Sequence, residues 1–347
     1  KSTLGLRTDN NRTGTFIPTT LFAGANVGGD ATINSSKNTD LINENYFTYN
    51  LELNPKNKFN FLAGYSFQKS DDTNYTAGAQ SFITNSVSYW NLQGGAVQKI
   101  PSSNFAETQI QSVFGRINYS FNDKYLFTVN ARYDGSSNFS KNNKYAFFPS
   151  GAFAWNMKDE AFLKDINFIS DFKWRVSYGL TGNQAIGPYQ TLARFSNSYT
   201  IIDGVAVNAV RPTTVANDDL TWETTRQFDL GADMSFYDSR LNLTVDYYRS
   251  VTSDLLFSVP LPSYTGYSSQ LQNLGKVENK GIEVTVNTVN TTGALKWNTS
   301  FNISNNRNEV LELPDGNDIF YGSGPGHLIG LGQTQVLRVG EPVGSFF

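Results

Sequence analysis

The sequence has 347 residues, of which 39% are hydrophobic, 16% charged and 14% aromatic, with 26 Phe and 18 Tyr. It is too aromatic for a disordered chain, and no segment approaches the ~18 consecutive apolar residues of a transmembrane helix. The net charge of −3 gives no basic surface for nucleic acid, and the lack of cysteine excludes a disulfide framework and any Cys-based metal site.

Strand-like alternation of apolar and polar residues begins at Ser2–Arg7 and recurs along the chain. About eleven such segments are predicted, and ten follow the first one, at 47–54, 59–68, 113–121, 125–134, 152–156, 171–180, 227–236, 241–248, 282–287 and 295–304. The best helix candidate is the short segment Lys158–Lys164. The sequence therefore predicts an all-β protein.

The clearest pattern is a predicted hairpin within Ser112–Phe139, with its turn at Asn122–Lys124. Val113, Ile117 and Val129 fall on an apolar face, while the opposite face is polar, because successive side chains of a strand point to opposite sides. The apolar face must be covered by a second layer of a water-soluble fold, or it faces lipid in a membrane barrel whose polar face lines a lumen.

Strand length and connection length favour a transmembrane barrel over a water-soluble sandwich. Many predicted strands reach ten residues or more, which suits a tilted membrane-spanning strand of ~9–11 residues. Long and short connections also alternate, as expected when they lie at opposite rims of a barrel. The predicted long ones are Thr8–Asn43, Ser70–Ala106, Gly182–Leu220 and Thr252–Lys276, and the short ones are Asn54–Asn57, Asn122–Lys124, Tyr237–Ser239 and Asn290–Gly293.

Charged residues of both signs occur on the polar faces, where they suit a lumen wall or, equally, the solvated face of a soluble sheet. The predicted lumen-facing residues are Arg116, Arg132, Asp134, Arg175, Asp229, Asp233 and Asp246. Aromatic residues gather near predicted strand ends, which fits girdles at membrane interfaces. These are Tyr119, Phe121, Tyr125, Phe236, Tyr237 and Trp297.

Aromatic residues in the predicted long loops are the candidate ligand-binding residues. They are Tyr89, Trp90, Tyr264 and Tyr267. An aromatic ring can bury the apolar C–H face of a sugar, while neighbouring Asn and Gln side chains bond its hydroxyls. The alternative is that each ring holds its own loop in place or packs against a partner.

No catalytic, cofactor or metal site is predicted. His327 is the single histidine, and no nucleophile motif accompanies it. Asp218, Asp219 and Glu223 resemble a glycosidase carboxylate set only weakly, and a polar loop leading into a strand explains them better. We therefore expect no enzymatic activity.

Several segments, in order and spacing, resemble TonB-dependent outer-membrane transporters of the SusC/RagA type. They are Asn130–Phe139 (NARYDGSSNF), Phe147–Met157 (FFPSGAFAWNM), Asp159–Leu163 (DEAFL), Asp171–Asn183 (DFKWRVSYGLTGN), Leu220–Thr225 (LTWETT), Asp246–Arg249 (DYYR), Asn273–Glu283 (NLGKVENKGIE) and Arg338–Phe347 (RVGEPVGSFF). The first 110 residues are consistent with the family but carry no motif.

The resemblance implies a 22-stranded antiparallel transmembrane β-barrel, of which residues 1–347 supply about 11 strands. The plug, the TonB box and the last strands are expected outside this sequence. The implied setting is the outer membrane of Gram-negative, Bacteroidetes-type bacteria. The implied partners are a SusD-like surface lipoprotein, TonB, outer-membrane lipid, and a second transporter–lipoprotein pair in a dimer.

The implied function is TonB-dependent import of a nutrient, with a glycan or oligosaccharide as the first expectation and an oligopeptide as the rival. Two other classes stay open at this point. One is a soluble extracellular carbohydrate-binding β module, and the other is a barrel enzyme that would depend on His327.

Overall fold

The computed structural model describes residues 1–267, 269–323 and 332–346, and its regular structure is almost entirely antiparallel β. The strands are β1 Ser2–Ile17, β2 Asp30–Asn54, β3 Asn57–Phe82, β4 Gly95–Gln98, β5 Ser102–Phe121, β6 Tyr125–Ser136, β7 Tyr145–Asn156, β8 Ile169–Asn183, β9 Arg194–Ile202, β10 Val205–Thr214, β11 Glu223–Phe236, β12 Leu241–Ser253, β13 Leu256–Pro260, β14 Ser269–Asn273, β15 Lys276–Thr292, β16 Lys296–Glu312, β17 Ile319–Ser323, β18 Gln333–Leu337 and β19 Ser345–Phe346.

Among the described residues, helical structure is limited to segments of three to six residues. The α-helical turns are α1 Phe22–Ala25 and α2 Ala161–Lys164, and the 3₁₀ turns are Asn85–Trp90, Leu92–Gly94, Met157–Asp159, Ser263–Thr265 and Pro314–Gly316. The predicted helix at Lys158–Lys164 is thus two short turns separated at Glu160, whose backbone is extended (φ −82°, ψ 148°). Across the described ranges, no helix is both long enough and apolar enough to cross a membrane.

The main sheet is a meander in which neighbours in space are neighbours in sequence. Its order, within the described residues, is β1-β2-β3-β5-β6-β7-β8-β11-β12-β15-β16, with β4 added on β3. Three small sheets accompany it, formed by β9 and β10, by β13 and β14, and by β17, β18 and β19. The eleven long strands agree with the number that the alternation predicts.

The four predicted short connections are confirmed. They leave at most four residues between the paired strands β2–β3, β5–β6, β11–β12 and β15–β16. The side chain of Asn54 closes the first, because its Oδ1 accepts the backbone N–H groups of Lys56 and Asn57, both at 3.0 Å. Asn122 and Asp123 (φ 56° and 54°) adopt the left-handed conformation that the second needs.

Two of the predicted long connections are wrong in extent. β1 continues to Ile17 and β2 begins at Asp30, so most of Thr8–Asn43 is paired strand. β3 likewise continues to Phe82 and β5 begins at Ser102. These extensions carry Asn, Ser, Thr and Asp on both faces, so they lack the alternation that reveals a strand, yet their backbones stay paired.

The chain divides into two compact units, each with its own small core. The first comprises Lys1–Asn45 and Tyr65–Gln111, and its core consists of Ala31, Ala79 and Phe82 with Phe16, Val87, Tyr89 and Leu92 around them. The second comprises Tyr46–Gly64 and Ser112–Phe347, and its core consists of Phe139, Phe148, Ile186, Leu220 and Trp222. The first core lies where β1, β2 and β3 approach the Asn85–Trp90 turn, and the second lies mainly in the connections around β7, β8 and β11. Many other large apolar side chains of the long strands are exposed.

Candidate functional site

The two faces of the sheet in the second unit have opposite chemistry, as the alternation predicts. One face exposes large apolar side chains, among them Val113, Ile117, Val129, Tyr178, Tyr247, Ile282 and Ile303. The other carries amides, hydroxyls and charges that bond across strands. Exposed apolar rows of this size mark a surface that contacts lipid or protein.

Stacked aromatic rings run across the apolar face beside the short connections. Phe59 stacks on Tyr119 with ring centroids 4.5 Å apart, and Tyr119 lies 6.0 Å from Phe127. The row continues through further neighbouring pairs, namely Phe47–Tyr49, Tyr49–Phe61, Phe127–Phe153, Phe121–Tyr125 and Tyr125–Trp155. These neighbouring rings include Tyr119, Phe121 and Tyr125 of the predicted strand-end aromatics, and rows of aromatic rings are expected at a membrane interface.

On the polar face, side-chain amides form a ladder across four neighbouring strands, β2, β3, β5 and β6. Asn60 donates to Asn50 (2.6 Å), Asn118 donates to Asn60 (3.2 Å) and Thr128 donates to Asn118 (2.9 Å). Amides and hydroxyls both donate and accept hydrogen bonds. The ladder itself is therefore uncharged and strongly polar.

Farther along the same sheet, a charge network joins three of the predicted lumen residues. Arg175 on β8 bonds both carboxylate oxygens of Asp233 on β11 (2.7 and 3.0 Å) and reaches Asp246 on β12 (3.0 Å). The reach is possible because Gly231 lies between Arg175 and Asp246 in register. A Cβ at Gly231 would lie 2.2 Å from Asp246 Oδ1 and 2.9 Å from Arg175 Cζ.

The other predicted lumen residues stand apart from this network. Arg132 pairs with Asp134 (2.6 Å) and donates to Ser112 (2.7 Å). Asp229 accepts from Ser177 (3.0 Å), whereas Arg116 is exposed and has no ion pair within the described ranges. The structure thus shows that Arg132, Asp134 and Asp229 bond to polar neighbours on this face, while the orientation of all the predicted residues toward a lumen stays a prediction.

Tyr89 and Trp90 have different roles, although they are neighbours on one 3₁₀ turn. The ring of Tyr89 covers Gly14 of β1 so closely that a Cβ there would lie 2.3 Å from it. Tyr89 is therefore an anchor for its loop. Trp90 is 70% exposed and is braced by Tyr89 (centroids 4.6 Å apart) and by the guanidinium of Arg12, 5.8 Å from its ring. Trp90 is therefore an exposed ring whose position is fixed by its neighbours.

Tyr264 and Tyr267 lie on the connection between β13 and β14. Tyr264 is 89% exposed on the Ser263–Thr265 turn, and Thr265 braces that turn by donating to the carbonyl of Pro262 (2.8 Å). Tyr267 donates its backbone N–H to Thr265 Oγ1 (3.3 Å). Of the pair, Tyr264 is the more accessible for a ligand.

The motifs that carry the family resemblance converge on one anchor for the long connections, which residue patterns alone did not reveal. Phe139, Leu220 and Trp222 form the core there, and Asn138 donates to the carbonyl of Ile186 (2.8 Å). Asn273 exchanges hydrogen bonds with the backbone of Thr221, both at 2.8 Å, and donates to the carbonyl of Asp254 (2.7 Å). We call Asn138, Phe139, Leu220–Glu223 and Asn273 the motif anchor.

Glu223 belongs to this anchor and not to a catalytic pair. It is 9% exposed, accepts from Asn183 (3.0 Å) and accepts the backbone N–H of Leu256 (3.1 Å). Asp218 contributes its carbonyl, which accepts from Asn143 (3.1 Å). These contacts are structural, so they do not favour the glycosidase interpretation.

Carboxylates near the connections are held by specific partners. Lys58 lies 2.7 Å from Asp123 and lowers the pKa of that carboxyl. The hydroxyl of Tyr125 donates to Glu160 (2.7 Å) and is the main cause of its lowered pKa. Arg338 lowers the pKa of Asp318 in the same way. Each acid has a structural partner that accounts for the shift.

The predicted absence of a metal site concerns acidic clusters and His327. Within the described residues, no cluster of three His, Cys, Asp or Glu side chains could hold a metal ion. His327 lies outside the described residues.

Comparison with known proteins decides the family. The family model described as TonB dependent receptor-like, beta-barrel matches residues 2–336. This chain belongs to that family. The resemblance predicted from the motifs is thereby confirmed, and the two-faced sheet is a segment of a large antiparallel barrel rather than half of a water-soluble sandwich.

Two relatives within the family match all or about two thirds of this chain. TonB-dependent receptor P3 of Formosa agariphila is 54% identical over 348 residues, covering 100% of this chain and 35% of that protein. TonB-dependent receptor SusC of Bacteroides thetaiotaomicron is 39% identical over 245 residues, covering 68% of this chain and 24% of that protein. The chain thus spans about a third of the length of the first of these relatives.

Among solved structures, the RagAB peptide importer in its closed-closed state matches with a TM-score of 0.87 and 26% identity. The match covers 99% of this chain and 37% of that one. Nearly the whole fold of this chain therefore has a counterpart in a solved structure of a peptide importer.

Proposed function

We propose that this chain forms part of the wall of a TonB-dependent nutrient importer in the bacterial outer membrane. The observation that carries the proposal is the division of one sheet into an apolar, aromatic-belted face and a hydrogen-bonded polar face. The apolar face contacts lipid, and the polar face, with Arg116, Arg132, Asp134, Arg175, Asp229, Asp233 and Asp246, lines the lumen. Family membership supports this assignment.

In this proposal, the energy for transport and the protein that delivers the substrate are both supplied from outside this chain. A plug that TonB pulls would open the lumen, and a SusD-like surface lipoprotein would deliver substrate at the rim with the long connections. The likeness to SusC and to the RagAB assembly supports both partners. A dimer of transporter–lipoprotein pairs stays a further expectation.

The favoured substrate is an oligosaccharide. The ladder from Asn50 to Thr128 offers neutral donors and acceptors suited to sugar hydroxyls, and most charges nearby pair with one another. Trp90 offers a braced aromatic face, so binding a sugar to it would cost little side-chain freedom.

Uptake of labelled oligosaccharides by cells that carry the intact protein tests this assignment. Trp90→Ala should weaken substrate binding about tenfold, since one aromatic contact is worth ~1 kcal/mol or slightly more. Phe22→Ala is the matched control, because Phe22 is an exposed aromatic residue (85%) on a different loop turn. Equal uptake by both variants and the unaltered protein would remove Trp90 from the site.

An oligopeptide is the second candidate, and one observation favours it. The solved structure that covers 99% of this chain is that of a peptide importer. Competition of peptide and oligosaccharide mixtures in the same uptake assay separates the two. Inhibition by peptides alone would overturn the oligosaccharide assignment and leave the importer assignment intact.

A further inference from the structure

Four basic residues gather on the apolar face of the last four strands of the main sheet. Arg249 on β12, Lys280 on β15 and Arg307 on β16 are in direct register. Arg226 on β11 lies one diagonal step away, because its neighbour Phe228 is the residue opposite Arg249. We call Arg226, Arg249, Lys280 and Arg307 the basic row.

The basic row belongs to the apolar face and not to the polar one. Arg249 is two residues from Tyr247, and Lys280 is two residues from Ile282, so each pair shares a face. Tyr247 and Ile282 are exposed apolar residues opposite each other in register. The polar face is reached by the alternate residues, such as Asp246 and Tyr248.

The row lies at the end of the apolar band that is remote from the short connections. Eight residues separate Leu241, beside the Tyr237–Arg240 turn, from Arg249, which is about 27 Å along the strand. With a tilt of ~35–45°, this corresponds to a height of about 20 Å, close to the ~25 Å apolar band of a membrane barrel. Long Arg and Lys side chains extend from there to the headgroup layer.

The carboxylates nearby do not neutralise the row. Glu278 is 2% exposed and binds Arg249 Nε and Lys280 Nζ, both at 2.5 Å, which fixes these two cations side by side. Glu309 lies 3.7 Å from Lys280, and Lys276 pairs with Glu312 farther along the strands. Arg226 and Arg307 are exposed and have no ion pair among the residues that the structure describes.

We propose that the basic row binds the phosphate of a membrane-lipid headgroup whose acyl chains lie on the apolar rows below it. The proposal rests on the membrane location given under the proposed function. Four cations face two carboxylates, which leaves an excess positive charge at headgroup height. The site is continuous with the apolar surface, and a guanidinium binds phosphate oxygens in a bidentate manner.

Lipid binding to the intact protein in detergent tests the site, with diphosphorylated lipid A as the titrant and native mass spectrometry as the readout. The test variant is Arg226→Gln/Arg307→Gln, which spares the buried Glu278 and its two partners. Each cation near an anionic lipid contributes about fivefold in affinity, so the variant should bind about 25-fold more weakly. Lys141→Gln/Arg211→Gln is the control, because it removes two exposed charges outside the main sheet and should leave binding unchanged.

Inorganic phosphate at matched concentration separates a lipid site from an ion site. We expect it neither to displace lipid A nor to raise the melting temperature. Unchanged binding by the test variant, equal loss in the control, or stabilisation by inorganic phosphate alone would each overturn the lipid site. Tryptophan fluorescence tests the proposed function separately. If lipids with brominated acyl chains do not quench Trp155, Trp174 and Trp297 on the apolar face, the membrane location is wrong, whatever the result with lipid A.

Discussion

At the scale of single residues, Gly231 decides whether charges can meet across β11. A side chain at this position would occupy the space between Arg175 and Asp246. Arg175 and Asp246 are each about a third exposed, so their ion pair contributes only modestly to stability. The two hydrogen bonds from Arg175 to Asp233 also order the side chains of the polar face.

Gly231→Ala should therefore lower stability by about 1–3 kcal/mol, through the displaced carboxylate and local crowding. Gly115→Ala is the control, because its nearest neighbour, the carbonyl oxygen of Leu62, would be at an ordinary 3.6 Å. Thermal unfolding in detergent measures both. Combining Gly231→Ala with Asp246→Asn should cost less than the sum of the two changes, and strict additivity would contradict the role of the glycine.

Asp123 gives a prediction about pH. Lys58 lowers its folded pKa below the ordinary value of ~3.9, so the contact stabilises the folded state above that value and is lost as pH falls through the lowered pKa. The melting temperature of the unaltered protein should exceed that of Asp123→Asn near neutral pH, and the difference should shrink below about pH 4.

Asparagine is the informative replacement there because it tolerates the left-handed backbone of the turn. Asp238→Asn is the matched control, since Asp238 has φ 55° in another short connection and makes no ion pair within the described ranges. A difference that persists unchanged to pH 3 would show that the Lys58 contact is not its source.

At the scale of elements, the motif anchor ties the β13–β14 connection to the start of β11. Asn273 alone satisfies both backbone groups of Thr221 and the carbonyl of Asp254. Asn273→Ala leaves these groups without the side chain that pairs them. Because the contacts are part-buried or exposed, water replaces the lost partner in part, and each loss costs about 0.5–1.5 kcal/mol.

We expect Asn273→Ala to release this connection without unfolding the sheet. Protease cleavage near Tyr264 should accelerate at least tenfold, while the global melting temperature changes little. Asn142→Ala, on an exposed turn, should have no effect. Cleavage rates that match the unaltered protein would mean that the anchor does not control this loop.

The elements also show where sequence reasoning is strong. Alternation identifies strands such as β6 and β12 because one face is apolar and the other polar. It fails where both faces are polar, as in the Asn- and Ser-rich halves of β1 and β2, and it missed the β9–β10 and β13–β14 hairpins inside long connections. The convergence of Asn138, Trp222 and Asn273 depends on contacts between distant segments, which no local pattern encodes.

At the scale of the whole molecule, the contrast between the two faces of one sheet is the feature that supports the proposed function. Alternation in the sequence predicts that division, and the loop aromatics Tyr89, Trp90, Tyr264 and Tyr267 are predicted together as candidate ligand-binding residues. The sequence could not separate anchoring Tyr89 from accessible Trp90, since both are aromatic residues in one loop. The structure distinguishes the two, because Tyr89 packs over Gly14 whereas the exposed ring of Trp90 contacts Arg12.

Spin-label accessibility tests the central claim most directly, because residues 1–347 contain no cysteine that would compete with a label introduced among them. In lipid bilayers, labels at Val129, Val176 and Val245 of the intact protein should be accessible to oxygen and shielded from a water-soluble nickel chelate. Labels at the alternate positions Asn130, Ser177 and Thr244 should show the reverse. Equal access of the nickel chelate to both sets would contradict a wall with one face toward lipid and the other toward a lumen.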